Sequence, residues 1–178
     1  MKVFTTIAVI FLSINTYLCA QSSTCITKDN YLAMKELYAE VITTNEYSEL
    51  TQFHGELGEE DSYLNMLLIG SEKDSFMVII KQEEYIEEKE IIRLYTMKLP
   101  KNIHIYVYSA NYNSSLKLYQ FPHEHSQNRQ LETYISQPMR IMDVYNTWLK
   151  VHFEESGMKY DGWIPKEEYC PNPYTTCN

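Results

Sequence analysis

Glycine is scarce in this chain, with five in 178 residues and none clustered. Loops that cradle phosphate need closely spaced glycines so that backbone N–H groups can approach the ligand, and that class of site is excluded. Positive charge is also in short supply: 15 Lys and Arg stand against 24 Asp and Glu, for a formal net charge of −9. A chain so acidic repels nucleic acid and anionic lipid, so no nucleic-acid partner is expected. Beyond residue 20 no apolar run approaches the roughly twenty residues that a helical membrane span needs. No serine sits in a nucleophile elbow, and no cysteine opens a helix behind a small-residue motif, which removes two familiar signatures of covalent catalysis. Fixed-period repeats and low-complexity tracts are absent as well.

What is present begins with an export layout. Lys2 precedes an apolar run over residues 3–12, and a polar stretch ends at Ala20. One charge, about ten apolar residues and a small boundary residue describe a signal peptide over residues 1–20. Its weak point is Leu18, larger than the residue usually found two positions before the cut. Cys19 offers a second reading, a lipid-anchored product, but Leu18 fits that processing poorly too. A periplasmic or secreted location is expected, and loss of Lys2 with the leader makes the product one charge more acidic. Export permits disulfides. The remaining cysteines are Cys25, Cys170 and Cys177, an odd number. Cys170 and Cys177 flank a turn-rich, proline-containing segment and are the favoured pair, with Cys25 as the competing partner.

Along the chain, Tyr31, Leu32, Met34, Leu37, Tyr38, Val41 and Ile42 recur at three- and four-residue steps. This spacing predicts an amphipathic helix over about 29–43, capped by Asp29. Strands are expected over 63–69 and 75–81 around a turn at 70–74, then over 90–99 and 103–109 around Pro100. The acidic run 82–90 reads as a solvated turn or short helix, without the spacing or turn glycine of a calcium loop. Sixteen tyrosines and period-two alternation over 103–109 favour strands. The predicted class is mainly β, α+β overall: a helix and hairpins over 21–102, then a small barrel over 103–178.

The barrel expectation rests on the C-terminal part. Short strands are predicted at 116–119, 131–135, 139–145 and 148–153, with an irregular polar loop at 121–128. In the fourth, Leu149, Val151 and Phe153 alternate with Trp148, Lys150 and His152. Gly162 before Trp163 is read as a sharp turn. The order Trp148-Leu149-Lys150-Val151, a hairpin, Gly162-Trp163-Ile164-Pro165 and a closing Lys166-Glu167-Glu168-Tyr169 resembles the bacterial Src-homology-3-like domain, over roughly residues 103–170. The first strand departs from that family's usual Gly-Pro pattern. The resemblance implies a β-barrel that recognises peptide-like ligands, in a groove beneath the loop at 121–130 and the hairpin at 154–161. Tyr119, Tyr134, Tyr145, Tyr160 and Trp163 are the aromatic candidates for that surface.

Other chemistry is thinly represented. His123 and His125 could give a metal two ligands, but a site needs a third and usually a fourth; His104 or His152 would have to approach through the fold. No metal, no cofactor and no catalytic residue is assigned. Asn113-Ser114-Ser115 matches a glycosylation acceptor, relevant only in a eukaryotic source. The expected role is an exported, non-enzymatic binding module for a cell-wall peptide or another protein. An inhibitor or immunity protein against a secreted toxin or hydrolase is the first alternative, and a cell-wall hydrolase with unrecognised residues the second.

Overall fold

The computed structural model describes residues 24–44, 63–86, 89–110, 115–132 and 135–171. The signal segment, Cys19, Asn113, Ser114, Tyr134 and Cys177 lie outside them, as does the Cys25 side chain. Most of the described chain is β, with one α-helix.

The first sheet contains β1 (Thr24–Ile26), β2 (Ala39–Thr44), β3 (Tyr63–Ser71), β4 (Ser75–Ile86) and β5 (Lys89–Pro100), in the order β1-β5-β4-β3-β2. All neighbours are antiparallel. β1 and β2 therefore run in the same direction at opposite edges, and α1 (Lys28–Lys35) carries the chain between them across one face. Tyr31 of α1 buries itself against Leu67, Ile79, Ile92 and Leu94 on that face.

The helix is shorter than its spacing predicted, and residues 39–44 form a strand instead. Ala39-Glu40-Val41-Ile42-Thr43-Thr44 is rich in β-branched residues, which lose side-chain freedom in a helix and pack well on a pleated surface. Val41 satisfies both periods; pairing with β3 and burial of Ala39 and Val41 on the inner face select the period of two. The helix starts at Thr27, not Asp29: the Thr27 hydroxyl accepts the Asn30 N–H at 3.4 Å. Asp29 lies in the first turn and Lys35 in the last, each complementing the helix dipole.

The acidic run at 82–90 is also corrected. β4 and β5 pair continuously from Ser75↔Pro100 to Ile86↔Lys89, so most of the run is strand, with 87–88 outside the described residues. The register sets Glu83 opposite Ile92, Glu84 opposite Ile91 and Gln82 opposite Arg93.

The second sheet has the order β12-β6-β9-β10-β11-β7-β8 and curls into a half-barrel. Its strands are β6 (Tyr106–Ser109), β7 (Leu116–Tyr119), β8 (Asn128–Leu131), β9 (Met139–Tyr145), β10 (Trp148–Glu155), β11 (Met158–Ile164) and β12 (Tyr169–Cys170). A 3-10 turn at Lys166–Glu168 separates β11 from β12. β10 and β11 join through Ser156 and Gly157, both at positive φ (53° and 75°), the two-residue turn whose twist matches the strands it connects. The pairing of β9 with β10 skips Met142, a bulge that bends the strand. Of the strand expected over 131–135, Leu131 ends a strand at Asn128–Leu131, buried opposite Leu116, and 133–134 lie outside the described residues. That expected over 103–109 pairs only from Tyr106, although Ile103 and Ile105 continue its buried alternation.

The sheets change over between Pro100 and Tyr106 and share one core. Val41, Met66, Val78 and Leu99 from the first pack with Ile105, Ile141, Leu149 and Ile164 from the second. Backbone bonds join the layers as well: Ala39 N–H donates to Asn146 C=O at 3.1 Å, and Ile42 N–H to Pro171 C=O at 3.0 Å. Lys166 of the 3-10 turn donates to the Lys35 carbonyl at the end of α1, at 3.2 Å.

Candidate functional site

Alternation divides β10 and β11 between two environments. Leu149, Val151 and Phe153, with Tyr160, Gly162 and Ile164, face the core. Trp148, Lys150 and His152, with Lys159, Asp161 and Trp163, face outward. The register aligns Lys150 with Trp163, and Trp163 with Tyr119. Tyr119 meets Trp148 edge to face at 5.2 Å between ring centroids, and Tyr145 sits opposite Trp148 at the neighbouring hairpin. An aromatic strip thus runs across the outer face, with both tryptophans half-buried in it.

Beside this strip lies a cleft of about 340 Å³, lined by residues 118–120, 127–129 and 159–161. Its origin is a missing strand contact. β11 pairs with β10 along its whole length but with β7 only at Trp163↔Tyr119. Among the described residues, β11 therefore has no second paired strand over 158–161, and the cleft opens along that edge. β7 is held close at the joined end by Gly162. A Cβ at this position would stand 2.7 Å from Leu118 Cβ, so the glycine permits close approach inside a strand, not the sharp turn its sequence context suggested.

The cleft's inner wall is a stack. Phe153 and Tyr160 lie nearly parallel, 21° apart with centroids at 5.2 Å, and the Arg129 guanidinium sits 5.1 Å above the Tyr160 ring. Lys159 and Asp161 flank Tyr160 on the outward side, and Gln120, Gln127 and Asn128 complete the polar rim. Asp161 is 2.9 Å from His152 Nδ1. Phe121 N–H donates to Ser126 Oγ at 2.9 Å, and Gln120 N–H to Gln127 C=O at 2.9 Å; these bonds pin the loop that forms the rim.

The sequence candidates divide accordingly. Tyr119 and Trp163 share the aromatic strip beside the cleft; Tyr145 is 57% exposed and lies at the end of β9. Tyr160 lines the cleft, but it is only 5% exposed and belongs to the core. It offers a ring face to Arg129 and cannot serve as an outward contact. Tyr134 lies outside the described residues. Trp148 entered the sequence reading only as part of the barrel motif and Arg129 not at all; Arg129 occupies a short polar stretch, and no local pattern places it over Tyr160.

The histidines do not converge. His123 and His125 stay in the loop, where His125 N–H donates to His123 Nδ1 at 3.0 Å. His104 contacts Tyr106, and His152 faces Asp161. No cluster of three metal-ligating side chains occurs among the described residues. Cys170 is buried and disulfide-bonded. Tyr169 beside it is held protonated well above the ordinary phenol range, chiefly by burial and then by Glu167 and Glu40. Its hydroxyl donates to the Thr147 carbonyl at 3.1 Å, a structural bond that leaves no role for it at the cleft.

No family model, curated protein or solved structure matches this chain. The site's own geometry has to carry the functional reading. No helix among the described residues is long and apolar enough to cross a membrane.

Proposed function

We propose that residues 103–170 form a Src-homology-3-like barrel and that the protein is an exported, non-enzymatic binding module for a peptide-like ligand. Support for the barrel comes from its strand order. β9, β10 and β11 form a meander, and after a 3-10 turn β12 returns to pair with β6, which also pairs with β9.

The observation that carries the binding reading is the unshared edge of β11 at the cleft. An extended peptide presents alternating N–H and C=O groups and can extend such an edge, while flanking side chains select among ligands. Here Tyr119 supplies a broad, conformationally cheap contact, and the rim amides supply donors and acceptors. The ligand comes from the cell wall or from a partner protein.

The test is retention of the mature protein on purified cell-wall sacculi and, separately, capture of partners from a periplasmic extract. The module reading expects binding without solubilised wall fragments, weakened about tenfold by Tyr119→Ala, an aromatic contact-residue effect. Release of fragments would establish a hydrolase. A stoichiometric complex with one secreted toxin or hydrolase, with that enzyme blocked, would establish an inhibitor.

A further inference from the structure

We propose that the cleft beside β11 takes the carboxylate of its ligand, held by Arg129 with Lys159; this rests on the peptide-binding reading above. The protein is acidic overall, yet the cleft is lined by two cations and one acid. That acid, Asp161, already faces His152 at 2.9 Å. Arg129 and Lys159 make no ion pair among the described residues, in contrast to Lys35, Lys98, Lys101 and Lys166, each of which meets a carboxylate. Lys159 has Glu154 across the hairpin in register, so its charge is partly offset, and Arg129 carries the larger share.

The geometry suits a planar anion. The Arg129 guanidinium carbon lies 5.1 Å from the centroid of the Tyr160 ring, itself stacked on Phe153, and both rings are buried in the core. The Arg129 side chain is exposed, and the N–H edge of a guanidinium matches the two oxygens of a carboxylate. The stack also fixes the side chain before ligand arrives, which lowers the ordering cost of binding. An extended peptide along β11 would bring either its free C-terminus or an acidic side chain to this point.

Three pooled libraries of N-acetylated pentapeptides without Asp, Glu, Lys or Arg distinguish the cases. One ends in a free acid, one in an amide, and the third is the amide form with a central Asp. Each is passed over the immobilised mature protein, and retained peptide is quantified by mass spectrometry. The acid library, the Asp library or both should be retained about fivefold more than the plain amides, the scale of an exposed ion pair; which one exceeds the amides names the carboxylate's source. Arg129→Gln should bring that library down to the amide level without lowering amide retention, and Arg129→Lys should recover only part. Circular dichroism should show the variants folded, as expected for an exposed side chain. Equal retention of all three libraries, or a preference that survives Arg129→Gln, overturns the carboxylate site while leaving peptide binding intact. Failure to retain any library overturns the peptide reading itself, and the carboxylate site with it.

Discussion

Gly162→Ala is the sharpest structural test of how the cleft is built. The added Cβ would sit 2.7 Å from Leu118 Cβ, 3.3 Å from Leu118 Cα and 3.4 Å from Leu118 Cδ2. Carbon atoms prefer about 3.5–4.0 Å, so β7 and β11 must separate by roughly 1 Å. The nearest atoms are the base of a side chain and the backbone, and no rotamer change relieves them. Overpacking of this kind costs about 1–3 kcal/mol. Replacing a strand glycine recovers about 0.5–1 kcal/mol, which leaves a net loss centred on about 1.3 kcal/mol. At about 2–4 °C per kcal/mol for a chain of this size, that lowers Tm by about 3–5 °C. Thermal unfolding followed by circular dichroism measures it directly. Leu118→Ala keeps its Cβ, so the double variant should remain less stable than Leu118→Ala alone. A Tm within 1 °C of the parent, or above it, would refute the claim that Gly162 sets the approach of β7 to β11.

Leu149→Ala removes a fully buried side chain between the sheets and should cost about 2–5 kcal/mol in urea unfolding. Tyr169→Phe deletes the 3.1 Å bond to Thr147 and should cost about 1 kcal/mol near pH 8. Because burial raises the Tyr169 pKa in the folded state, its phenol favours folding most below the unfolded value of about 10 and progressively less as pH rises beyond it. The gap between parent and variant should therefore narrow between pH 9 and 11, and a constant gap would contradict the assignment. The Glu72 carboxyl is held below its ordinary range by the Lys98 ammonium, so whatever it adds is present above that range and fades as pH falls through it; being fully exposed, Glu72→Gln should leave Tm at pH 7 unchanged. Peptide mapping under non-reducing conditions should find Cys170 joined to Cys177. Pro171 bonds to β2, whereas Cys25 lies on β1 at the opposite edge, about 19 Å away at four strand spacings, beyond a disulfide's reach of about 7 Å.

Some of this fold could be read directly from sequence. The alternation of Leu149, Val151 and Phe153 against Trp148, Lys150 and His152 matched their burial because β10 lies between a core and an outer face. Residues 39–44 misled because Val41 and Ile42 continue the helical spacing while Val41 also fits a strand period, and only pairing with β3 separates them. The acidic run misled because its composition suggested a solvated turn, whereas the β4–β5 ladder carries through most of it. The cleft itself was illegible. It is made where β11 stops pairing with β7, segments some forty residues apart, and no local pattern records which strand lacks a neighbour. Tyr160 looked like one more surface tyrosine until its strand face was known.

The bond from Ile42 to Pro171 has a consequence for how the molecule comes into being. It fastens an early strand of the first sheet to residues just past the last strand of the second, and β12 likewise reaches back to β6. Contacts so distant in sequence slow folding, because long loops must close before they are rewarded. A nascent chain that still lacks its final turn and strand has an open β6 and an unsatisfied β2. Completion of both sheets therefore waits for the C-terminal residues.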